Sequence, residues 1–160
     1  MIDLKIKRIN EIDKEKLKKL FLRYPFKDFQ RATQGLDNGL LGDFFVKGIE
    51  NKIRNSDIFC FGVEDSGDLA AIFNVEPLKK HSEIYDKKMF RISTYLNYLK
   101  PEDCFNLFWE KLEKLVYNKN IIHLSCRLDA SDYRNISVLT TKEFRYRGVS
   151  MKLSLFLKQI

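Results

Sequence analysis

Residues 94–105, TYLNYLKPEDCF, run from a strand-like segment through a proline and two acids into a helix. A helix N-terminus at a strand end is a natural seat for phosphate, because unpaired backbone N–H groups and the positive end of the dipole both point there. Here Pro101 has no N–H to give, while Glu102 and Asp103 satisfy the dipole and repel an anion. The junction is therefore expected to be capped rather than vacant. Glu64, Glu76, Glu83 and Asp86 are candidate general bases, and His81 adds an imidazole as a further acid–base candidate. His123 and Cys126 stand three apart on a strand and face opposite ways, so they do not ligate one metal. His123, Ser125 and Arg127 share a face, which would line a pocket or meet a covering helix or partner. Cys104 lies in a first helical turn, but the two preceding acids oppose a thiolate and its apolar spacing assigns it to the core. No metal site is expected.

The elements that position these residues follow from periodicity. Ile2, Leu4 and Ile6 alternate with charged residues as in a half-buried strand. Asp13 is placed to cap a helix carrying Leu17, Leu20, Phe21 and Tyr24, which Pro25 stops. A second helix is predicted over 37–54, with Leu40, Leu41, Phe44, Phe45, Ile49 and Ile53 along its buried side, although Gly39, Gly42 and Gly48 weaken it. Residues 57–78 read as a hairpin about an acidic, glycine-containing turn. In KMFRISTYLNYL, Phe90, Ile92, Thr94 and Leu96 are expected to face one way and Arg91, Ser93, Tyr95 and Asn97 the other. Then comes a long helix with Pro101 near its first position and Cys104, Phe105, Phe108, Leu112, Leu115 and Val116 buried. IIHLSCRL reads as a central strand, SDYRNISVLTTKEF as a helix capped near Ser131, and GVSMKLSLFL as a last strand. The strands before and after the long helix would lie parallel, joined by a right-handed crossover.

At 160 residues and 44% hydrophobic, the chain suits one domain, 1–160. Its 29 basic against 22 acidic residues give +7, scattered over solvated faces with no basic-aromatic module, so specific nucleic-acid binding is not expected. Three separated cysteines in apolar elements suit reduced thiols in the cytoplasm. No segment has signal-peptide or membrane-span character.

The order of elements resembles that of GNAT acyltransferases. HSEIYDKKMFRI, residues 81–92, resembles the W-D-S-x-x-F-G-x-x-x-x-R-I element in the N-terminal half of dTDP-fucosamine acetyltransferase-type proteins, through Ser82, Glu83, Tyr85, Arg91 and Ile92. HLSCRLDASDYRNISVLTTKEFRYRGVSMKL is similar to the segment closing a GNAT half-domain. The resemblance implies an α+β fold, a GNAT-like mixed sheet with helices on both faces. It also implies acetyl-CoA as cofactor if the chain is active, held by a Q/R-x-x-G-x-G/A turn for which NYLKPEDCF supplies no glycine. The backbone of Tyr95, Leu96, Asn97 and Tyr98 remains to grip the pantetheine arm. Aligning N-x-x-A-x-x-x-Y-x-x-x-G-F on Phe144 puts Leu139 where the tyrosine donates a proton, and Glu143 at the glycine. Tyr133 and Tyr146 are the substitutes nearby, and His81 and Glu83 the acid–base candidates. Two functions are expected from these departures. The first is a non-catalytic half or scaffold of an acyltransferase, partnered by a second GNAT-like domain or by its own copy through SMKLSLFL. The second is a divergent acyl-CoA-dependent N-acetyltransferase acting on an amino sugar or other small amine. A weaker third is a small interaction module meeting an acidic partner.

Overall fold

A computed structural model of the chain describes residues 4–24, 37–55, 58–126, 128 and 132–141. The elements are β1 (Lys5–Arg8), α1 (Lys14–Arg23), α2 (Asn38–Arg54), β2 (Phe59–Asp65), β3 (Asp68–Pro77), α3 (Lys79–Tyr85), β4 (Met89–Asn97), α4 (Pro101–Lys119), β5 (His123–Cys126) and α5 (Tyr133–Thr141). Among the described residues five strands form one sheet in the order β1-β2-β3-β4-β5, antiparallel except for the parallel β4–β5 pair. The hairpin turn falls on Ser66 and Gly67, both with positive φ, which glycine adopts without steric cost.

Strand alternation divides the core in two. Phe61, Val63, Phe73, Val75 and Ile92 pack under Cys104, Phe105, Phe108 and Leu112 of α4 and Val138 and Leu139 of α5. On the opposite face Cys60, Ile72 and Leu96 meet Leu17, Leu20 and Phe21 of α1 and Val46 and Ile49 of α2. Helices thus cover both faces of a mixed sheet. Asp13 and Asp37 accept hydrogen bonds from the amides of Lys16 and Leu40, fixing the starts of α1 and α2.

Several sequence expectations change. The buried side of α2 is Gly42, Val46 and Ile49, while Leu40 and Phe44 are 56% and 71% exposed. Gly42 sits against the stem of Lys18, which brings that face of α2 close to α1. The regular alternation of β4 breaks at a bulge: Asn74 pairs with Thr94 and Val75 with Ile92, leaving Ser93 extra. Tyr95 consequently joins Ile92 on the α4 face. Residues 79–85, which carried no helix in the sequence reading, form α3. β5, expected to be central, is half-buried and stands last in the order among the described residues. Asp132 accepts from Asn135 N–H through Oδ1 at the start of α5, and the neighbouring Ser131, near which the cap was expected, lies outside the described residues. The predicted last strand, Phe144 and Tyr146 lie outside the described residues.

Candidate functional site

The site is built where β4 and β5 part. Their parallel pairing runs from Met89↔His123 to Ile92↔Cys126, whereas β4 continues to Asn97. Past the bulge, the Tyr98 amide donates to Ala70 O of β3 at 3.0 Å. Alternate amides of an antiparallel strand face opposite sides, so Leu96 shares that direction and Tyr95 and Asn97 turn theirs toward the opening. Of the four expected backbone contacts, Tyr95 and Asn97 therefore face the opening; Leu96 and Tyr98 are tied into the sheet.

Asn97 ends the strand by accepting from Leu99 N–H at 2.9 Å, an Asx turn that leads into α4. Lys100 is the N-cap of α4 and makes no side-chain cap hydrogen bond. The expected proline and acids stand in its first turn, and among the described residues no side chain hydrogen-bonds at the cap. Pro101 is buried, and Cys104 N–H is used by Lys100 O at 3.2 Å. The other first-turn residues, Glu102 and Asp103, place two exposed carboxylates where an anion would sit. This donor set does not fit a CoA pyrophosphate, which needs converging N–H groups without adjacent negative charge.

A buried polar network stands at this end of β4. The Tyr24 hydroxyl donates to Asp132 Oδ2, and Asn135 Nδ2 donates to the same oxygen at 2.8 Å and to Tyr24 Oη at 3.2 Å. Asn97 Nδ2 donates to Asn135 Oδ1 at 3.4 Å. Tyr24, Asn97, Asp132 and Asn135 are all under 7% exposed, with Asp132 at 1%. Burial, followed by the bond to Asp132, pushes the Tyr24 phenol far above its ordinary value, so the hydroxyl remains protonated. Tyr24 packs with the α1–α2 layer and α5 with the α4 layer, so this bond joins the two faces of the sheet beyond the end of β5.

Leu139 is buried in the α4-side core and has no proton to transfer. Tyr133 is 71% exposed on the first turn of α5. His81 and Glu83 are exposed on α3, which precedes the start of β4; the strand's length separates them from the opening by about 25 Å. The structure therefore does not gather Tyr133, His81 and Glu83 into one site. Glu76 is fully engaged: Arg91 Nε donates to its Oε1 at 2.6 Å, and Lys52 Nζ lies 2.9 Å from Oε2. Burial opposes its charge, but these two cations outweigh burial and hold its pKa below the usual carboxylate range, which disqualifies it as a base near neutral pH. Burial raises the Cys60 and Cys104 thiols to about 12, as core thiols require. Among the described residues no cluster of His, Cys, Asp or Glu could hold a metal, and no helix is long and apolar enough to cross a membrane.

No family model matches the chain, and no curated protein matches it. Solved structures do. The chain is similar to a ribosomal-protein-alanine N-acetyltransferase from Brucella melitensis biovar Abortus 2308, at 11% identity and a TM-score of 0.62 over 96% of this chain and 99% of that one. A predicted acetyltransferase with acetyl-CoA from Clostridium acetobutylicum gives 11% identity and a TM-score of 0.60 over 94% and 96%. A transcriptional regulator from Bacillus halodurans C-125 gives 10% and 0.67 over 95% and 99%. The fold is the α+β fold of the GNAT acetyltransferases.

Proposed function

We propose that this chain is a non-catalytic GNAT-fold half of an acyltransferase, which packs against an active half or shapes its acceptor site. The observation that carries this reading is the buried Tyr24–Asp132–Asn135–Asn97 hydrogen-bond network, which ties the end of β4 to α5 and to the end of α1. Leu139 in place of a proton donor, and the acids at the start of α4, support the same conclusion. The pairing partner is a second GNAT-like domain or another copy of this chain, and Cys60, Cys104 and Cys126, none of them in a disulfide, suit a cytoplasmic setting. An assay that follows thiol release from acetyl-CoA with amino sugars and other small amines should give the background rate. Enzyme-dependent turnover that scales with protein concentration would refute the reading.

One feature favours a second reading, a divergent acetyl-CoA-dependent N-acetyltransferase. The bulge at Ser93 and the outward amides of Tyr95 and Asn97 retain a place for a thioester arm. On this reading the network must open when the donor binds, and Tyr24→Phe should raise rather than lower turnover.

A further inference from the structure

α3 is a seven-residue helix with no buried residue, yet it is firmly held. Ser82 Oγ accepts from Met89 N–H at 3.0 Å and donates to Met89 O at 3.3 Å, and Lys87 N–H donates to Ser82 O at 3.2 Å. Asp86 completes the turn at φ +47. An element that adds nothing to the core but is pinned in this way offers a fixed outward surface. That surface is apolar as well as basic: Ile84 and Tyr85 are 65% and 60% exposed, and Ile122, whose amide donates to Lys88 O, is 68% exposed. Beside it lies a cavity of about 350 Å³ floored by Pro77 and Phe90 and rimmed by Lys79, Lys88 and Lys119, with Glu83 as its acid.

We propose that this end of the molecule is the docking surface for an acidic polypeptide segment carrying one apolar anchor. The anchor rests on Phe90 and Pro77, and its flanking carboxylates meet the lysines of the rim. Charge complementarity selects this occupant: Lys79, Lys88 and Lys119 line the cavity against Glu83 alone. The proposal rests on the reading that the chain packs against a second half, and it names the face and chemistry of that contact. It lies at the opposite end of β4 from the Tyr24–Asp132 network, so each is testable without the other.

The probe is a fluorescent peptide of glutamates around a single phenylalanine, titrated into the full chain by anisotropy. Saturable binding is expected that weakens as salt rises. Lys88→Glu combined with Lys119→Glu should weaken it at least tenfold, and Ile84→Glu, at an exposed position, should weaken it at an unchanged melting temperature. Equal binding of a peptide with lysines in place of the glutamates, or of a polyphosphate of matched charge, would overturn the proposal. So would undiminished affinity in the double variant. Acetyl-CoA turnover would instead overturn the non-catalytic reading and leave the peptide result standing.

Discussion

Buried polar side chains decide what the opening between β4 and β5 can do. Asp132 is 1% exposed and takes hydrogen bonds from Tyr24 and Asn135. Tyr24→Phe removes one of these and should cost about 2 kcal/mol, the range for a hydrogen bond to a charged group, measured by urea unfolding. The raised Tyr24 pKa makes a pH prediction. Because the folded value exceeds the unfolded value of about 10, the contribution is complete below pH 10 and declines as pH rises toward the folded value. Tyr24→Phe should abolish that part of the alkaline loss. Glu76 acts in the opposite range. Its folded pKa is depressed, so its contribution is present above about pH 4.3 and fades as pH falls through the folded value. Glu76→Gln should flatten the acid limb of an unfolding profile. Little of this network was legible in the sequence. Tyr24 fits the apolar period of α1 and its hydroxyl finds a partner 108 residues away. Asp132 drew no notice beside the cap expected near Ser131, because spacing within an element carries no information about a bond between layers.

Periodicity located most of the elements and failed where a local device reset the phase. The starts of α1 and α2 at Asp13 and Asp37, the hairpin and the buried face of α4 all follow from caps, turn residues and spacing. In β4 the extra residue at Ser93 shifts the period by one, which moves Tyr95 onto the α4 face; no residue type announces such a bulge. In α2 the apolar stripe ran through Leu40 and Phe44, but the helix approaches α1 through the small residue Gly42 instead. α3 escaped notice because a seven-residue helix with every residue at least partly exposed has no apolar period. Its terminus offers a test of local strain. Asp86 holds φ +47, a left-handed conformation that costs a non-glycine residue about 1 kcal/mol. Asp86→Gly should therefore raise the melting temperature by roughly 2–4 °C in a thermal scan.

Among the described residues two helical layers enclose a sheet whose parallel pair ends before β4 does, and a hydrogen-bond network there draws on both layers. The α1 layer contributes Tyr24, the strand contributes Asn97, and the α5 layer contributes Asp132 and Asn135. The helix start that would face a cofactor phosphate presents Pro101, Glu102 and Asp103. Both facts bear on one question, whether a nucleotide thioester is held there. The direct measurement is a calorimetric titration of the full chain with acetyl-CoA and with CoA at low and moderate salt, since a chain of charge +7 attracts polyphosphates without specificity. The non-catalytic reading predicts heat only at low salt, with no defined stoichiometry. Stoichiometric micromolar binding that survives moderate salt would contradict it.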